Sequence, residues 1–125
     1  MLPSLETGGV ERGTIDIAGA LKDAGWRPLV ASSGGTMAHE LERIGADHFE
    51  MPLHSKNPYV MRRNIARLRT LIESEGVDIV HARSRAPAHS AIVAARQANV
   101  RFITTFHATY NFATPPKRWY NSVMA

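Results

Sequence analysis

Thr7-Gly8-Gly9-Val10-Glu11-Arg12 lies close to the N-terminus of a 125-residue chain. Two adjacent glycines stand immediately before a run with helical periodicity, so the backbone is expected to turn sharply there and then enter a helix. Glycine tolerates positive φ and lets another group approach the main chain closely. The first N–H groups of a helix lack partners and carry the positive end of its dipole, so such a turn can seat a phosphate. On this reading Gly8 and Gly9 face a diphosphate-bearing ligand. A tight β–α turn with no ligand is the alternative, because glycine pairs are common turn formers.

Working outward, the same strand–loop–helix unit recurs. Val10, Ile17, Ala18, Leu21 and Ala24 fall on one helical face, and Gly25 can close that helix. Arg27 to Ser32 is a short apolar run of strand type that leads into a second glycine turn, Ser33-Gly34-Gly35-Thr36. Thr36 can N-cap a helix carrying Met37, Leu41 and Ile44 on one face and ended by Gly45. His48 to Met51 reads as a strand, and Tyr59 to Ser74 as the longest helix, with Gly76 after it. Val77 to Val80 and Phe102 to Phe106 are further strands, separated by an alanine-rich helix over 86–98. Alternation of this kind predicts an α/β fold: a Rossmann-like parallel sheet with helices on both faces. Met1-Leu2-Pro3 is too short for the first strand that should precede Gly8, and Tyr120 to Ala125 reads as a helix cut off early. The expectation is one partial domain over 1–125.

Composition narrows the class. Hydrophobic residues make up 44% and charged residues 21%, which is ordinary for a globular protein. There is no cysteine, hence no disulfide framework, thiolate metal site or cysteine nucleophile. No apolar run approaches the ~20 residues of a membrane span, and no signal-peptide pattern opens the chain, so a cytoplasmic protein is expected. The net charge of +4 is unevenly placed, with −4 over residues 1–55 and +8 over residues 56–125. The basic half points to an anionic partner: nucleic acid, a phosphorylated substrate or a membrane surface. Stacking aromatics are not interleaved with the basic residues, which argues against nucleic acid.

In open parallel sheets ligands bind beyond the carboxyl ends of the strands. His107, just past a predicted strand and near Thr105 and Tyr110, can hydrogen-bond a sugar hydroxyl or a phosphate there, or it can simply hold its loop. His81 is read as structural. Arg83-Ser84-Arg85 puts two guanidiniums beside a helix start, a plausible seat for phosphate or carboxylate. Lys56 and Asn57 are weaker candidates of the same kind. Arg62, Arg63, Arg67 and Arg69 fall outside the apolar stripe of the longest helix. They form either an ordinary solvated face or a surface that docks on anionic lipid. No metal-ligand spacing is present, and neither GxxxxGK[ST] nor GxGxxG occurs.

Gly8-Gly9-Val10-Glu11-Arg12, Ser32-Ser33-Gly34-Gly35, Asp78-Ile79-Val80-His81 and Thr104-Thr105-Phe106-His107 together resemble the N-terminal half of GT-B glycosyltransferases. More narrowly they are similar to retaining family-four enzymes of bacterial envelope synthesis. His81 to Pro87 and Tyr120 to Met124 resemble a subgroup of lipopolysaccharide-core transferases. The resemblance spans nearly all of the chain. It implies a nucleotide-sugar donor, a glycan or lipid-linked acceptor, and an active site between this acceptor-side domain and a C-terminal donor domain outside the chain. Gly8 and Gly9 would approach the donor diphosphate or the acceptor, His107 would contact the donor sugar, and Arg83 and Arg85 would touch the acceptor. No metal and no cofactor are implied, and these 125 residues alone would not turn over. A nucleotide-sugar epimerase of the same fold and a non-enzymatic anion-binding module are the alternatives.

Overall fold

The computed structural model describes residues 1–105 and residue 107. The elements run α1 (Gly9–Asp23), β1 (Leu29–Ser32), α2 (Ala38–Arg43), β2 (Asp47–Glu50), α3 (Pro58–Glu75), β3 (Ile79–Ala82), α4 (Arg85–Gln97) and β4 (Arg101–Thr104). β1 pairs parallel with β2, and β3 parallel with β4.

The two strand pairs are joined by residues 1–5, which act as the first strand although Met1-Leu2-Pro3 reads as too short for one. Leu2 N–H donates to the Ala31 carbonyl (3.2 Å) and Ser33 N–H to that of Pro3 (2.9 Å). On the other side the Met1 amine donates to the His81 carbonyl (2.7 Å), and Arg83 N–H donates to the carbonyl of Met1 (2.9 Å). Met1 thus sits opposite Ala82 in a parallel ladder. Three residues suffice because neighbours on both sides satisfy their backbone groups. The resulting order is β2, β1, residues 1–5, β3, β4.

Helices cover both faces. Successive strand residues point to opposite sides. Val30 packs into a cluster with Leu5, Ile15, Ala18 and Leu41, under α1 and α2. Ala31 packs into a second cluster with Leu68 and Ile72 of α3 and Ala88, Ala91, Ala94 and Ala95 of α4. These alanines are fully or almost fully buried, so α4 lies close on the sheet. Each leucine taken out of water in this way contributes roughly 1.5–3 kcal/mol.

Local chemistry explains the ends. After α1, Gly25 (φ +86°) lets its N–H reach the Lys22 carbonyl and that of Trp26 reach Leu21, closing the last turn. Gly45 repeats the device after α2, and Asn99, also at positive φ, repeats it after α4. Three expectations need correction. Thr36 does not cap α2: its hydroxyl donates to Glu6, and the helix begins without a side-chain cap at Met37. The buried face of α1 is Thr14, Ile15 and Ala18, whereas Ile17 and Leu21 are 40% and 36% exposed because they line a groove instead of a neighbouring helix. Gly8 and Gly9 do not need a left-handed backbone, since Gly8 is extended; positive φ is found at Gly34 and Gly35.

Candidate functional site

Because every described strand pair is parallel, the loops leaving residues 1–5, β1, β2, β3 and β4 all open on one rim. Gly9 and His107, almost a hundred residues apart, therefore lie on the same edge of the sheet. Two of these loops are tied together. Leu5 N–H donates to the Gly34 carbonyl (2.8 Å), and Met37 N–H donates to Leu5's (2.8 Å). The second glycine turn thus clamps the segment that leads into the first.

At the first turn of α1, a Cβ added to Gly8 would run into the Glu11 carboxylate, while one added to Gly9 would meet open space. Glu11 lies in the first turn of α1 with its carboxylate beside Gly8, at the helix end where a negative charge is favourable. A ligand phosphate at that spot has to displace Glu11. Arg12 forms an ion pair with Glu40 of α2.

Arg83 is the unusual residue of this rim. It is only 9% exposed, its Nε is buried without a hydrogen-bond partner, and it forms no ion pair with any described residue. One guanidinium nitrogen reaches α1, 3.0 Å from where a Cβ on Gly13 would stand. Gly13 escaped the sequence reading; its signal was a third glycine, one helical turn after Gly9. The bare backbone there makes the room Arg83 occupies. A buried charge without a counter-charge is costly, so the site is suited to an anion.

Beside Arg83, His81 is half-buried and its Nε2 lies 2.6 Å from the Thr105 hydroxyl. Burial holds the His81 pKa below the usual histidine value, and the Met1 amine, Arg83 and His107 push it the same way. The lowered pKa favours the neutral ring, which shares a hydrogen bond with Thr105. His107 is exposed and follows Thr105 by two residues on the same loop. Arg83, His81 and Thr105 thus converge, with His107 two residues past Thr105.

The other predicted residues fall elsewhere. Arg85 begins α4, one residue past its N-cap Ser84. Asn57 has a structural role, since its side chain accepts from Tyr59 N–H (2.9 Å) and caps α3. Lys56 is exposed beside it, after β2, at the opposite side of the strand order from β4 and His107. Tyr110 lies outside the described residues.

A parallel sheet with helices on both faces, and with its glycine turns and buried arginine on one rim, is a Rossmann-like α/β fold. The profile of Glycosyltransferase Family 4 matches residues 7–125, and the chain belongs to that family. A glycosyltransferase from Rickettsia africae ESF-5 superposes with a TM-score of 0.83 at 44% identity, covering 98% of this chain and 33% of that one. A structure described as a putative UDP-N-acetylglucosamine 2-epimerase from Listeria monocytogenes, 16% identical, shares the fold with a TM-score of 0.59 over 99% of this chain and 36% of that one. The chain thus spans about a third of the length of these structures. No curated protein matches it.

Proposed function

We propose that this chain is the acceptor-side half of a two-domain glycosyltransferase, a hexosyltransferase that moves a sugar from a nucleotide-sugar to a glycan or lipid acceptor of the bacterial envelope, of lipopolysaccharide-core type, with retention. The observation that carries the reading is Arg83, a buried guanidinium with no counter-charge among the described residues, two positions from His81. In the transfer the bond from the sugar's anomeric carbon to the donor phosphate breaks and one to the acceptor oxygen forms. The acceptor proton leaves with the phosphate. Donors that favour the growing phosphate charge lower the barrier, and Arg83 is placed to be one. His107 is the group offered to the donor sugar, Gly8 and Gly9 frame the approach, and Arg85, Lys56, Asn57 and Tyr110 are left to the acceptor. No metal or cofactor is invoked, and catalysis needs a donor-binding second domain that these residues do not supply.

Arg83→Gln in the two-domain protein should lower sugar transfer roughly 10- to 100-fold, the worth of a charge-assisted hydrogen bond. It should leave folding stability unchanged or higher, because it removes an uncompensated buried charge. A fall in stability with unaltered transfer would make Arg83 a structural residue and remove the support for the reading. Product linkage, as opposed to isomerised donor, separates a transferase from an epimerase of the same fold.

The setting proposed is the cytoplasmic face of the membrane, bound peripherally. No described helix is long and apolar enough to cross a membrane. On α3, Arg62, Arg63 and Arg67 are exposed beside Tyr59, which is 82% exposed, whereas Arg69 is engaged by Glu73 (2.9 Å). A row of basic side chains ending in an aromatic suits an anionic lipid surface. Vesicles with anionic lipid should sediment the chain, neutral vesicles should not, and Arg62→Ser with Arg63→Ser should abolish the difference. Equal sedimentation in both would end the proposal.

A further inference from the structure

Arg83 is held at both ends. Its backbone N–H donates to the Met1 carbonyl (2.9 Å), and one residue earlier the Ala82 carbonyl accepts from Thr105 N–H (3.0 Å). The main chain at the end of β3 is therefore pinned from two sides. At the other end a guanidinium nitrogen rests against α1 at Gly13, 3.0 Å from where a Cβ would stand. Between these points the side chain is buried and its Nε has no partner. A guanidinium is usually placed by the carboxylate it forks onto. Among the described residues none pairs with Arg83, so its place is set by the surface it stops against.

That surface is fixed. Thr14, Ile15 and Ala18 bury the neighbouring face of α1, the Thr14 hydroxyl donates to the Val10 carbonyl (2.7 Å), and Arg12 is paired with Glu40 of α2. The backbone at Gly13 is ordinary helix, not left-handed, so conformation alone does not call for glycine there. Space does. Gly9 stands one turn earlier on the same side of the helix and faces open space. The strip of α1 that leads from Arg83 to the rim thus carries no side chain at either position. Gly19 of the same helix is different, because a Cβ there would gain only an ordinary contact with Ile44 at 3.9 Å.

We propose, resting on the phosphate role given to Arg83, that Gly13 is a positioning residue for sugar transfer: lacking a side chain, it sets where the guanidinium comes to rest. A methyl at this position forces the guanidinium to give way by a few tenths of an ångström. The pinned backbone behind it and the packed helix in front leave only the side-chain torsions of Arg83 to move. A donor aimed at developing charge loses much of its effect when its geometry slips. The charge on the leaving phosphate grows in the transition state, so the loss falls on kcat more than on KM.

The test is a set of variants of the two-domain protein: Gly13→Ala, Arg83→Gln, the two combined, and Gly19→Ala. Gly13→Ala should lower kcat for transfer about 3- to 10-fold and leave the donor KM within about twofold, without lowering the thermal midpoint. Gly19→Ala should leave transfer unchanged and raise the midpoint by about 2–4 °C, the helix-forming gain of alanine over glycine. In the Arg83→Gln background the side chain is shorter and uncharged. There Gly13→Ala should cause no further loss of transfer and should raise the midpoint as Gly19→Ala does. A loss of the same size with and without Arg83 would overturn the proposal, because Gly13 would then act by another route. So would normal transfer by Gly13→Ala while Arg83→Gln is slow. Normal transfer by Arg83→Gln would instead remove the phosphate role of Arg83, and the positioning role of Gly13 with it.

Discussion

As pH falls from above 8 to below 5 the free-amine chain should lose on the order of 4 kcal/mol of folding stability, the last part of it below pH 5. The Met1 amine is buried against the His81 carbonyl, and desolvation, followed by the charge of Arg83, pushes its pKa down from 8.0 to about 5. The folded pKa thus lies below the unfolded one. Between the two values the unfolded chain binds the proton and the folded chain does not, so acid favours unfolding and stability rises with pH. Three pH units at 1.36 kcal/mol each give the magnitude. His48 and His81, both lowered chiefly by burial, add a smaller loss of the same sign as pH falls past the ordinary histidine value. Urea unfolding at pH 5.5, 7 and 8.5 measures the slope. An N-acetylated chain keeps an N–H for the His81 carbonyl but has no amine to titrate, so only the histidine part should remain. An unchanged slope after acetylation would place the effect elsewhere.

The fold was legible because its punctuation is local. Gly25, Gly45 and Gly76 end helices wherever the apolar period stops, and β-type runs follow each of them. The face of α1 was misread because Ile17 and Leu21 obey the helical period as well as Ile15 and Ala18 do. What separates them is which side is filled, a property of the neighbouring strands. The strand role of residues 1–5 was invisible for the same reason. A run broken by Pro3 has no strand signal of its own, and its hydrogen bonds come from β1 and β3.

The rim was half legible. His107 and Arg83 could be placed because both follow strands in a parallel sheet. Arg83 and Arg85 look equivalent in the sequence, yet Arg83 is buried with an unpartnered Nε and Arg85 opens a helix. That difference rests on Gly13, which makes room only after α1 has been docked. The capping role of Asn57 did have a local signal, since Asn-Pro-Tyr at a helix start is cap chemistry.

The two glycine pairs are alike as sequence and opposite as structure, and a pair of alanine substitutions should expose the difference. Gly35→Ala should cost about 3–5 kcal/mol, and Gly34→Ala about 1–2 kcal/mol. Both residues have positive φ, +145° and +83°, so each alanine carries backbone strain. At Gly34 the new methyl would meet the Glu50 carboxylate at 3.4 Å, and that side chain can swing aside. At Gly35 it would stand 2.5 Å from the carbonyl carbon of Leu5, 2.6 Å from its oxygen and 2.8 Å from the nitrogen of Glu6. That backbone cannot step back freely. Leu5 is bonded to Gly34 through its N–H and to Met37 through its carbonyl, and its side chain is wholly buried. Relieving the clash means stretching those two bonds and shifting the segment that carries Gly8 and Gly9 to the rim. Urea unfolding of the two variants at one pH, 8.5, keeps the Met1 amine mostly neutral in both states and isolates the comparison. Equal losses would mean that the Leu5 backbone yields, and that the second glycine turn does not fix where the first one stands.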